Sequence, residues 1–177
     1  MPRLFTGLEL PESVAGAVAL ARGGVPGARW IQPEDYHITL RFLGEVDART
    51  AHEIVETLND VRRSAIPVRF DGLGWFGGDK PRALVAHVKA DPAIVGLQAE
   101  HERRLRRIGL PPETRKFKPH VTLARLRGVG PAAVADFLSS RGRLEVEAFT
   151  AERFVLYSSK EGGGGGPYVV EAAYPLG

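Results

Sequence analysis

A chain of 177 residues, 44% hydrophobic and 25% charged, is long enough for one globular domain with a sizeable core, so it requires neither a disulfide nor a metal staple. It contains no cysteine, which excludes disulfides, thiolate zinc sites and cysteine nucleophiles together. Net charge is only +3, but just five of the 24 basic residues are lysine, and guanidinium suits phosphate ligands without requiring them.

In chain order, residues 3–10 form a short apolar-rich segment, and Pro11-Glu12-Ser13 opens an alanine-rich helix predicted to about residue 22. Gly23-Gly24 and Pro26-Gly27 break it. Residues 36–43 alternate like a strand, and Asp47 is the expected N-cap of a helix running to about residue 63. Strand character returns over 66–76, before the turn Gly77-Gly78-Asp79-Lys80-Pro81. The second half repeats this order. A strand is predicted over 82–90, a helix capped by Asp91-Pro92 to about residue 107, and a strand over 118–126. Gly130-Pro131 opens a shorter helix, 144–158 carries one long or two short strands, and 168–176 forms the last.

The repeat extends to individual residues. His37-Ile-Thr-Leu-Arg-Phe-Leu43 aligns without gaps to His120-Val-Thr-Leu-Ala-Arg-Leu126. Placed at the same point of two similar element orders, the match predicts two related lobes, about 1–78 and 79–177, within one domain. Their linker is expected near 77–81, with exchange of strands between lobes allowed.

Alternate side chains of a strand share a face. His37, Thr39 and Arg41 are therefore expected on one face of their strand, and His120, Thr122 and Ala124 on one face of theirs. Alternation puts Arg125 opposite His120, unless a bulge returns it. Pseudo-twofold lobes would bring the two His-Thr faces to one cleft. Imidazole titrates near pH ~6.5, so one ring can take a proton from water while the other gives one to a departing ribose oxygen. The threonine hydroxyls suit the non-bridging oxygens of a phosphate. This chemistry calls for no metal or cofactor.

Other candidates weigh less. His101 falls on the apolar stripe of its helix and is expected to be buried and structural, while His52 and His87 have no evident partner. Trp30, Tyr36, Trp75 and Phe117 have faces that suit an unpaired base, although core packing is the default for each. Arg103, Arg104, Arg106 and Arg107 form a basic helix end. The glycine run 162–166 lacks the spacing of a phosphate-binding loop and reads as a flexible hairpin tip.

Several stretches together carry a family resemblance: Arg3-Leu-Phe5 with Leu10-Pro11, Trp30-Ile-Gln-Pro-Glu-Asp-Tyr-His-Ile-Thr-Leu-Arg-Phe-Leu-Gly44, Phe117-Lys-Pro-His-Val-Thr-Leu-Ala-Arg125 and Gly166-Pro-Tyr168. In these the chain resembles the RNA 2′,3′-cyclic phosphodiesterases, or 2′-5′ RNA ligases, of the two-histidine phosphoesterase superfamily. The resemblance covers nearly the whole chain. It implies a bilobal α+β fold, with antiparallel sheets flanking a central cleft and helices outside. It also implies hydrolysis of RNA-terminal or nucleoside 2′,3′-cyclic phosphates to a 2′-phosphomonoester, with reversible 2′-5′ ligation. Catalysis would rest on His37 as acid and His120 as base, with Thr39 and Thr122 on phosphate and Arg41 and Arg125 as further substrate contacts. Period-two geometry alone does not divide acid from base between the histidines. An RNA-end-binding protein, or a phosphodiesterase of 2′-5′ oligonucleotides or another small cyclic phosphate, are the alternatives. No apolar run approaches the ~18 residues of a membrane span and Met-Pro-Arg-Leu-Phe opens no secretory pattern. A cytoplasmic monomer acting on RNA ends or cyclic nucleotides, without an obligatory protein partner, is the expectation.

Overall fold

The computed structural model describes residues 3–141, 143–159 and 166–177, so most of the glycine run lies outside the described residues. Among the described residues ten strands and four α-helices follow one another in this order: β1 Arg3–Glu9, α1 Glu12–Ala19, β2 Ala28–Trp30, β3 His37–Glu45, α2 Ala48–Leu58, β4 Ile66–Val68, β5 Phe70–Phe76, β6 Ala83–Val88, α3 Pro92–Arg107, β7 His120–Leu126, α4 Pro131–Arg141, β8 Phe149–Ala151, β9 Arg153–Ser159 and β10 Tyr168–Pro175. Local chemistry sets several boundaries. The Asp47 carboxylate accepts from the Thr50 N–H at 2.8 Å, a cap that starts α2. Pro92 occupies the first turn of α3, where its missing N–H costs nothing.

One antiparallel sheet in the order β10-β9-β1-β3-β7-β6-β5 carries the fold, with β2 added to β7 and a small β4–β8 pair apart from it. Its two halves meet at β3 and β7, where Ile38 opposite Val121 is the single paired position. Each half draws on both parts of the sequence, because β9 and β10 extend β1 while β5 lies beside β6. Residues 77–81, expected as a linker, close the β5–β6 hairpin, with Arg82 N–H donating to the Phe76 carbonyl at 2.7 Å.

The helices cover one face of the sheet. Behind the β1–β3 half, α3 is tied to β1 by the Thr6 hydroxyl on His101 at 2.9 Å. Behind the other half, Trp30 packs on Phe137 of α4 and Arg141 donates to the Ala21 carbonyl at the end of α1. Leu8, Ile38, Leu84, Leu97, Val121 and Leu123, all without exposed surface, belong to the continuous core between sheet and helices. On the opposite face Phe5, Val155 and Tyr157 form a smaller cluster against Tyr168. That second face is the one open for chemistry. No helix among the described residues is long and apolar enough to cross a membrane.

Candidate active site

Both central strands break their alternation at the same place. On β3, Thr6 pairs with Arg41 and Gly7 with Thr39, so Leu40 is the extra residue of a bulge. On β7, Leu84 pairs with Ala124 and Val85 with Thr122, which makes Leu123 its counterpart. Leu40 and Arg41 both turn inward, as do Leu123 and Ala124, and the next residues, Phe42 and Arg125, face out.

This corrects two expectations. Arg41 does not share the face of His37. It is 6% exposed, paired with Glu102 of α3 and bonded to the Pro111 carbonyl, away from the cleft. Ala124 likewise lies in the core. Arg125 is returned to the face of His120 by the bulge, near enough to disfavour a second positive charge on both histidines.

The crossing of β3 and β7 sets the arrangement of the four motif residues. With Ile38 opposite Val121 in an antiparallel pair, position 37 lies across from 122 and position 39 across from 120. Each histidine thus faces the other strand's threonine, and all four side chains point away from the helical side. The ring orientation repeats as well. His37 Nδ1 donates to the Asp35 carbonyl at 2.9 Å and His120 Nδ1 to the Lys118 carbonyl at 2.7 Å. A carbonyl only accepts, so Nδ1 carries the hydrogen and Nε2 is left with its lone pair. His37 Nε2 accepts from the Thr39 hydroxyl at 2.9 Å.

Burial disfavours charge on both rings. It lowers the His37 pKa to about 4, against the opposing effect of the Asp35 bond and with smaller help from His120 and Arg125. His120 is also lowered, by burial first, and by His87 and Arg125 beyond it. Around His37 stand Phe5 at 5.0 Å, Tyr157 at 5.3 Å and Tyr168 edge-on at 4.9 Å. Asp35 fixes two of these parts, since its carboxylate accepts from the Tyr168 N–H at 3.2 Å. Gly7 leaves room beneath: a Cβ there would lie 2.8 Å from the Ile38 carbonyl and 3.2 Å from the Tyr157 ring.

The His120 side is built differently. Register puts His87 directly beside His120, and Phe76 meets the two rings at 5.8 and 4.7 Å. Gly74 accommodates His87, because a Cβ there would fall 2.3 Å from its Nε2. His87, left without a partner by sequence, is therefore a neighbour of the site. Only the β6–β7 register reveals it. The aromatics singled out by sequence lie elsewhere. Tyr36 is buried, Trp30 packs behind the sheet, Trp75 shares the row of core residue Leu84, and Phe117 lines a groove beside α3 with Arg103 and Arg106. His101 is buried as expected, and His52 is exposed. Among the described residues no group of three or more His, Asp or Glu side chains is placed to hold a metal.

A sheet face with two histidines, two hydroxyls and a guanidinium is equipped to handle a phosphate ester, and comparison with known proteins narrows the class. The sequence pattern of the LigT-like phosphoesterases matches twice, over residues 8–87 and 88–168. The chain belongs to that family of enzymes. It is 37% identical over 131 residues to an Aeropyrum pernix RNA 2′,3′-cyclic phosphodiesterase, covering 72% of this chain and 74% of that one. An Archaeoglobus fulgidus protein of the same name is 30% identical over 87% of this chain and 92% of its own. The fold resembles the crystal structure of a Thermus thermophilus protein, with a TM-score of 0.82 and 24% identity over 98% of this chain and 97% of that chain.

Proposed function

We propose that this enzyme hydrolyses RNA-terminal or nucleoside 2′,3′-cyclic phosphates to 2′-phosphomonoesters, with the His37/His120 pair as acid and base. The observation that carries it is the opposition of two His-Thr pairs whose Nδ1 atoms are both held by backbone carbonyls, so that Nε2 is the proton-transfer atom of each ring, His37 exchanging its Thr39 contact for the substrate. The names of the relatives supply the substrate class.

Neutral His120 removes a proton from water as its oxygen attacks phosphorus. The P–O3′ bond breaks, and protonated His37 delivers its proton to O3′. The proton count balances: one ring gains what the other loses. Thr39 and Thr122 donate to the non-bridging oxygens as charge builds there, and Arg125, a cation on this face, contacts the substrate. The scheme asks nothing of a metal. A 5′-hydroxyl of RNA in place of water gives a 2′-5′ linkage by the same displacement.

An oligonucleotide ending in a 2′,3′-cyclic phosphate, incubated with the enzyme in EDTA, should yield the 2′-phosphate. His37→Ala and His120→Ala should each slow turnover by about 10²–10⁴-fold. Undiminished turnover in either variant removes the mechanism, and a 3′-phosphate product reverses the leaving group. Sulfur in place of O3′ leaves without a proton, so it should rescue His37→Ala and not His120→Ala.

A further inference from the structure

Strand β2 is three residues long, and Arg29 at its centre is its one exposed side chain. Its register sets Arg29 directly across from Arg125. Because Trp30 packs behind the sheet against Phe137, alternation turns Arg29 to the open face, where the β7 bulge also turns Arg125. Residues directly opposite on antiparallel strands have Cβ atoms about 5 Å apart.

That pair continues the row of the site. Arg125 stands two side-chain rows beyond Thr122, about 7 Å along β7. The other half-site holds no such charge, since Phe42 occupies the position that repeats Arg125 and is 49% exposed against Phe5. The β7 side of the site thus carries the guanidiniums, in the row that also holds Phe76, and the β3 side carries Phe42. A phosphate that reaches both guanidiniums gains charge-assisted contacts that can be bidentate.

We propose that Arg29 and Arg125 form a subsite for the phosphodiester on the 5′ side of the terminal nucleotide. The favoured substrate is then an RNA end of two or more nucleotides rather than a cyclic mononucleotide. This rests on the cyclic phosphodiesterase reading above and adds the length and polarity of the substrate to it. The binding energy of the added phosphate is available only to a chain.

The test compares kcat/KM for adenosine 2′,3′-cyclic phosphate with that for a tetranucleotide ending in the same group, using wild type, Arg29→Ala and Arg29→Lys. Wild type should favour the tetranucleotide roughly tenfold or more. In Arg29→Ala the ratio of the two should fall to near one, mainly through KM, and Arg29→Lys should keep part of it. The salt dependence for the tetranucleotide should become shallower by about 0.7 in log–log slope. Equal kcat/KM for both substrates in wild type, or an equal loss on both in Arg29→Ala, overturns the subsite. Equilibrium binding of a tetranucleotide 2′-phosphate and of adenosine 2′-monophosphate to the same proteins reads the subsite without turnover. If wild type cleaves neither substrate, the assigned reaction fails, while the binding ratio still decides the role of Arg29.

Discussion

Titrating the enzyme with acid and base tests the electrostatics of the two histidines directly. Burial lowers His37 to about 4 in the unliganded protein and moves His120 below its ordinary 6.5 as well. In the proposed mechanism the productive state carries one proton on the pair, so it is populated only between two apparent pKa values that belong to the pair as a unit. Because kcat/KM reports the free enzyme, both of its limbs should lie below pH 6.5. At pH 7 a ring titrating near 4 is protonated in about one molecule in a thousand, and the substrate must supply the difference. Raising it to 7 takes about 4 kcal/mol, which matches a single charge pair at about 4 Å with an effective dielectric of about 20. The alkaline limb of kcat should therefore lie above that of kcat/KM, by up to about three units. Initial rates on adenosine 2′,3′-cyclic phosphate in EDTA, from about pH 4 to about pH 9 at constant ionic strength, measure both limbs. Circular dichroism at each pH keeps acid unfolding out of the rate. An alkaline limb of kcat/KM above about pH 7.5 would refute the reasoning, since it requires a histidine raised rather than lowered by its surroundings.

Three further outcomes are expected. His87→Gln removes the electrostatic interaction with the neighbouring ring that lowers His120, so the alkaline limb of kcat/KM should move to higher pH; a limb that stays in place would mean that the two rings are not coupled. Arg41→Ala leaves Glu102 without its buried partner and should lower stability in urea by about 3 kcal/mol, whereas a loss well under 1 kcal/mol would place the pair effectively in solvent. His101 titrates near 3 when folded and near 6.5 when unfolded, so the unfolded chain binds the proton first and stability is lost as pH falls from 6.5 towards 3. By linkage that is about 2 kcal/mol between pH 7 and pH 5. Urea midpoints at those two pH values should show it, with the dependence reduced by that amount in His101→Leu, where the share of buried His37 remains, and unchanged there if His101 is not responsible.

The sequence alone marked the residues proposed to carry the chemistry and where most elements begin. Asp47 marks a helix start by a local cap and Pro92 another by its place in the first turn, while the Asp91 carboxylate bonds Arg69 instead of capping; α3 ends at Arg107 as predicted. The duplicated His-x-Thr elements announced themselves by repetition, and alternation put each pair on one face. Those signals depend on neighbours within a few residues. Tertiary structure decided what depends on register. One extra residue in each central strand buried Arg41 and exposed Arg125, and a bulge is defined by the partner strand, which the motif does not contain. The short strand β2 exists through pairing with β7, without an alternating run of its own, so Arg29 could not be placed from its surroundings in sequence. His87 meets His120 from 33 positions away by the same cause. The sequence thus named the histidines and threonines, and the register of β3, β6 and β7 decided what stands around them.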